Sequence, residues 1–275
     1  MKKFVVASFV LVLALVGSAA SPTWVVSVLN NLRRAVQTAN RTKNGVKAAI
    51  ALGKCQHALS EAQIDDMARI VSLPNGLEAV GKNLGKMNLI GKYGDDVGHV
   101  ILQDAYLRIA VKNGRISSEF AETALKQLRG VPGLTALLRK VNSVNPAVVK
   151  GHLRELEIGA MARERGFTVV SFGQKFADGL KHGDTDLDVF LRKGLKNYAL
   201  ESKAYVGAVP NDMVRADAES LLVFCKEFDD TIPVFCFETM PSKFSLKWLS
   251  DKGVKAIVGS PEEVVSKLDV LSQTW

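Results

Sequence analysis

The sequence predicts an α/β protein: a helical N-terminal half, residues 21–146, then a half in which strands and helices alternate, residues 147–275. Three observations predict it. Residues 24–146 carry apolar side chains at three- and four-residue spacing with no β-rich run among them, the pattern of amphipathic helices. The stretch Asp184–Tyr205, DTDLDVFLRKGLKNYALESKAY, alternates with period two on both sides of a short Lys/Gly/Asn turn, as paired strands do. Charge divides along the same line: residues 21–150 hold 18 Lys/Arg against 9 Asp/Glu, and residues 151–275 hold 16 against 19.

At the start, Lys2 and Lys3 precede the apolar run Phe4–Gly17 and the small-residue end SAAS. That is the layout of a secretory signal peptide over residues 1–20 and predicts export to the periplasm, the envelope or the medium. The alternative is an uncleaved helix that anchors the chain and brings it to the membrane, because the run approaches the length a spanning helix needs. No Cys follows the run, which argues against a lipoprotein.

The helical half reads as segments such as VVSVLNNLRRAVQTA, NGVKAAIALGKCQHAL and SSEFAETALKQLRG. Ser60 and Ser117–Ser118 mark helix starts, and Asn113-Gly114 and Val131-Pro132-Gly133 mark breaks. No fixed period recurs, so a repeat array is not expected. The basic balance of this half suits a region that grips a polyanion, although solubility or attraction to an acidic envelope would explain it as well. Aromatic residues make up only 7% of the chain, without the interleaving that single-strand binders use for base stacking. Three Cys and four His, with no CxxC or Cys/His spacing, exclude a disulfide framework and a zinc site. Cys225 and Cys236 are expected to be small core residues.

Val141–Val148 reads as the linker, with Pro146 ending one helix before the next. On the following helix the stripe Leu153, Leu156, Glu157 and Ala160 turns Glu157 toward the sheet, with Glu155 as the fallback. A carboxylate there needs a partner or a metal. The strand FTVVSFG leads into a polar loop, GQKFADGLKHGDT, whose Gln174, Lys175 and Lys181 are candidate phosphate contacts and whose His182 has the pKa of a general base. Within Asp184–Tyr205, Asp184, Asp186, Asp188 and Phe190 share one face, and Glu201 and Lys203 point the same way on the next strand. If the strands pair through the turn, Asp188 and Glu201 converge with Lys203 beside them. Two carboxylates and an ammonium so spaced can hold a divalent cation and steady developing negative charge. A charged edge that discourages aggregation would explain the aspartates, but not a Glu and a Lys on a strand that otherwise reads as buried.

This pattern resembles the PD-(D/E)xK nuclease superfamily, the fold of restriction enzymes and archaeal Holliday junction resolvases. The likeness covers roughly residues 148–270, in the order KGHLRELEIGAMARERG, FTVVSFG, DTDLDVFL, NYALESKAY, DMVRADAESLLVFCKEF, IPVFCFE, SLKWLSDKG and VKAIVG. No Pro precedes the Asp here, as in many members. The resemblance implies a restriction endonuclease-like three-layer α/β/α domain with a mixed central sheet. It implies that Asp188, Glu201 and Glu157 hold Mg2+, with Mn2+ able to substitute, and that Lys203 acts on the attacking water or the phosphoryl oxyanion. Asp188, which abuts the apolar run VFL, is favoured over Asp186, which becomes a candidate for a second metal.

The expected activity is metal-dependent hydrolysis of phosphodiester bonds in DNA or RNA, by an exported nuclease similar to the toxins of bacterial polymorphic systems. Its partners would be nucleic acid, an immunity or delivery protein, and a second copy in a homodimer. The competing readings are a non-catalytic relative that binds nucleic acid or a partner, and a helical envelope protein with solvated acidic residues.

Overall fold

The computed structural model describes residues 95–177, 179, 185–205, 207 and 209–273, together with Asp66, Arg69, Ile70, Leu73, Gly76 and Ala79. The expected signal segment, the first helices, Cys55, Lys181, His182 and Asp184 lie outside the described residues. The chain forms two compact units, Met1–Ala121 and Glu122–Trp275.

In the first unit, helix α1 (Asp95–Lys112) is buried around its circumference from Ile101 to Leu107, and again at Ile109 and Ala110. Such a helix belongs inside a helical assembly. Its buried Asp104 is offset by Arg108 one turn on, at 2.9 Å. Asn113-Gly114 ends it, with Gly114 at φ 67. Helix α2 (Ser118–Leu128), most of which belongs to the second unit, starts where Ser117 Oγ accepts the Phe120 N–H at 3.1 Å, the N-cap the two serines predict. Among the described residues no helix is long and apolar enough to cross a membrane.

The second unit is α/β and holds a mixed five-stranded sheet in the order β1-β2-β3-β4-β5. Two helices lead into it, α3 (Leu134–Val141) and α4 (Pro146–Glu164). Val141–Val148, expected as the linker, holds a helix break inside this unit: Pro146 takes the first turn of α4, and Asn145 Oδ1 accepts the Ala147 N–H at 3.0 Å. Strands β1 (Thr168–Phe176), β2 (Thr185–Lys193) and β3 (Lys196–Lys203) form an antiparallel meander. The β2–β3 turn is two residues long, Gly194-Leu195, with Gly194 at φ 61, the left-handed region that tight hairpins require. After α5 (Asn211–Glu227) come β4 (Thr231–Phe237), α6 (Lys243–Asp251), β5 (Lys255–Val258) and α7 (Pro261–Gln273), with β3, β4 and β5 parallel.

Helix α4 packs on β1, β2 and β3 and against α3 and α7, while α5 packs on β3 and β4 and against α6. Phe224 of α5 anchors its side, with ring centroids 5.1 Å from Phe176, 5.2 Å from Phe190 and 4.7 Å from Phe228. Full burial of a ring such as that of Phe224 stabilises the fold by about 1.5–3 kcal/mol. Val234–Phe237 of β4 are all buried, the continuous apolar run of a strand covered on both faces.

Two features extend the unit beyond the sequence reading. Strand β1 continues to Phe176, so Gln174 and Lys175 lie on a strand, opposite Leu187 and Asp186, rather than in the loop. The pairing with β2 and the Phe176–Phe224 contact hold them there. The unit also begins at Glu122, and residues 122–146 pack into it: Pro132 O accepts the Phe172 N–H at 2.9 Å. Gly133, at φ 80, comes so close to β1 that a Cβ would lie 1.8 Å from Phe172 O.

Candidate active site

Strands β2 and β3 pair from the turn as far as Val189↔Leu200. The next pair would be Asp188 with Glu201, and there the ladder opens: Asp188 Oδ2, rather than a main-chain carbonyl, accepts the Ser202 N–H at 2.7 Å. The carboxylate thus replaces a rung of the sheet. A charged acceptor makes that bond stronger than an amide pair, and it fixes Asp188 at the opening.

On β3, Glu201 and Lys203 are two residues apart on one face. Lys203 Nζ lies 2.6 Å from Glu201 Oε1 and 2.9 Å from Asp217 Oδ2 of α5. All three side chains are mostly enclosed, at 14%, 13% and 19% exposure. Asp217 was not among the residues the sequence singled out. A signal for it exists, since it interrupts the apolar stripe Val214, Ala218, Leu221 and Phe224 of its own helix.

Helix α4 brings Glu155 to the cluster. Its side chain is 7% exposed, and His152 Nδ1, one turn earlier, lies 2.9 Å and 3.0 Å from its two carboxylate oxygens. Glu157, the residue expected there, is half-buried and feels Arg154 and Glu238 instead. The reason lies in the packing. The α4 residues from Arg154 to Ala162 are buried except Glu157 and Met161, because α3, the sheet and α7 enclose the helix. A single apolar stripe therefore does not identify its inward face. Arg154 uses that enclosure to cap strand ends, donating from Nη2 to Phe237 O at 3.1 Å and Gly259 O at 2.7 Å. At the rim, Lys140 of α3 lies 3.4 Å from Asp186 Oδ2, both half-exposed.

The electrostatics of the cluster follow from too many carboxylates in too little water. Burial, then the charge of Glu155, raises Asp188 well above the ordinary carboxyl range, although Lys203 and the Ser202 N–H oppose it. Burial, then Asp188, does the same to Glu201. Burial pushes Glu155 up to about 8 against the pull of Lys140. Burial disfavours the Lys203 ammonium, but Glu201, Asp217 and Asp188 outweigh it and hold the group charged. His152 is driven down to about 4, first by burial and then by Lys140. A buried set short of positive charge, held neutral by protons, has the electrostatics of a site for a cation or for acid–base work.

As they stand, no three His, Cys, Asp or Glu side chains among the described residues are gathered closely enough to hold a metal ion. The donor chemistry nevertheless fits a hard divalent cation, since Asp188, Glu201 and Glu155 offer oxygen only. Mg2+ keeps several waters and needs one or two carboxylates, which Asp188 and Glu201 can supply. Of the remaining candidates, Gln174 accepts from Ser171 Oγ at 2.7 Å and Lys175 is exposed on β1. Neither joins the cluster through a described contact.

Comparison with protein-family models gives no match, and comparison with curated proteins and with solved structures gives none either.

Proposed function

We propose that the Glu122–Trp275 unit is a restriction endonuclease-like domain of the PD-(D/E)xK type that hydrolyses phosphodiester bonds in DNA or RNA with Mg2+. The observation that carries this reading is the junction of Asp188, Glu201 and Lys203 at the opened end of the β2–β3 ladder. An ordinary hairpin has no use for a half-buried Asp in place of a main-chain rung beside a mostly enclosed Glu–Lys pair. In this reading Asp188 and Glu201 hold the cation, Glu155 in place of Glu157 adds the third carboxylate, and Mn2+ can substitute. A divalent cation, when bound, supplies a polarised scissile phosphate and a more acidic water.

Lys203 acts on the developing charge. Its ammonium has three donors, of which Glu201 and Asp217 engage two. The third is left for a non-bridging phosphate oxygen or the attacking water. Losing a donor of this kind costs about 2.7–4 kcal/mol in the transition state, on the order of 10²–10³ in rate. Asp217 positions Lys203 from the α5 side. Lys140, at the half-exposed rim beside Asp186, adds positive charge on the α4 side, where a nucleic-acid backbone can approach. The basic balance of residues 21–150 supports attraction of the same polyanion, and the N-terminal signal pattern supports export.

The test is incubation of the purified chain with plasmid DNA and with structured RNA, in Mg2+, in Mn2+ and in EDTA, with Lys203→Ala in parallel. Metal-dependent cleavage that falls by about 10²-fold or more in the variant is the expected result and also names the substrate. Equal behaviour of wild type and variant on every substrate would refute the assignment.

A further inference from the structure

We propose that His152 is the positioning residue of the cation site: it fixes the rotamer of the Glu155 carboxylate and thereby sets the affinity for the metal. The inference rests on the metal-dependent reading above and adds to it a residue outside the Asp/Glu/Lys set.

The geometry is specific. His152 Nδ1 sits 2.9 Å and 3.0 Å from Glu155 Oε1 and Oε2, so one nitrogen spans both oxygens. A Glu that ligates a cation is ionised and can only accept hydrogen bonds, so the shared hydrogen is on Nδ1. The pair is one helical turn apart, and both side chains are enclosed, at 19% and 7% exposure. A long Glu side chain has three rotatable bonds and is costly to hold in one rotamer. An imidazole bonded across both of its oxygens removes that freedom before the metal arrives. Each oxygen keeps lone pairs for a ligand. Hydrogen bonds from behind a ligating group fix its direction and raise its basicity, and their loss typically lowers metal affinity 10–100-fold.

Lys140 does not take over this role. It lies 3.4 Å from Asp186, and its influence on Glu155 is through charge, without direction. Direction is what a hydrogen bond at Nδ1 provides, so the side chain that best replaces His is the one that places a donor at the Nδ1 position. Asn does this and Gln, which reaches as far as Nε2, does not.

Mn2+ binding to the full chain, followed at constant pH by the loss of the free-ion electron paramagnetic resonance signal, tests the proposal without reference to cleavage. Wild type, His152→Ala, His152→Asn and His152→Gln are titrated, and thermal melting in EDTA checks folding. The expected result is a Kd about 10–100-fold weaker for H152A and H152Q, with most of the loss restored in H152N. If wild type binds Mn2+ and H152A binds equally well, the role of His152 is refuted while the metal site stands. If wild type and all three variants bind but H152N is as weak as H152A, the imidazole acts through bulk or packing, and the positioning role is refuted. If wild type binds no Mn2+, the metal-dependent reading itself fails, and this inference with it.

Discussion

Replacing Glu155 by Gln should make the metal-free protein less sensitive to alkaline pH. Burial lifts the Glu155 carboxyl from 4.5 to about 8. Between those values the folded chain holds a proton that the unfolded chain has released, so stability is full at low pH and falls as pH rises. His152 works in the opposite sense: lowered from 6.5 to about 4, it costs stability in acid and the cost disappears as pH rises through 6.5. The two effects offset each other up to about pH 6.5, and above it only the Glu155 effect of this pair remains. The remaining interval, about one and a half units at about 1.36 kcal/mol each, comes to about 2 kcal/mol. Gln keeps a carbonyl oxygen for the Nδ1 hydrogen bond and has nothing to ionise. Urea unfolding in EDTA at pH 6.5 and pH 8 measures the effect: wild type should lose about 2 kcal/mol more than E155Q over that step. Equal losses, or a variant less stable than wild type at pH 8, would refute the account of Glu155 as a buried carboxyl crowded by its neighbours.

Asp188→Asn preserves an oxygen for the Ser202 N–H but removes a charge. It should lower cleavage by about 10²-fold or more in a plasmid assay while leaving the melting temperature of the metal-free protein equal or higher. Gly133→Ala should destabilise by about 2–4 kcal/mol in chemical denaturation, because φ 80 and a Cβ 1.8 Å from Phe172 O cannot both be accommodated. Cys225 and Cys236, whose thiols burial raises to about 12, should resist a thiol reagent at pH 8 until the protein is unfolded.

The strand pair and the meeting of Asp188, Glu201 and Lys203 were legible in the sequence because a strand has only two faces. Once Asp188 and Glu201 are assigned to neighbouring strands across a two-residue turn, period-two alternation and antiparallel pairing leave little choice of where they meet. The helix resisted the same treatment. At 100° per residue Glu155 and Glu157 project about 200° apart, and which of them faces the sheet depends on what packs on the helix's flanks. Leu153 and Leu156 suggested one face, yet Arg154, Ile158 and Gly159 are buried as well. Asp217 and Lys140 arrive from elements whose neighbours in space are distant in sequence, so no local pattern connects them with β3 or β2. The start of the second unit was hidden for a related reason: residues 122–146 have the composition of the helical half, and only their docking on β1 assigns them to the sheet.

That docking governs where the chain can be divided. Strand β1 is the outermost strand of its sheet, and the free rim of such a strand invites pairing with another copy. Here the Val131–Gly133 turn lies along it, and the Pro132 carbonyl takes the Phe172 N–H. A fragment cut at residue 147 would keep every strand and every carboxylate of the proposed site and still lose this cover, along with Lys140. It would leave the Phe172 N–H unpaired on a sticky border, so an insoluble fragment would say nothing about the residues of the proposed site. The smallest piece suited to crystallisation or to assay begins before Glu122.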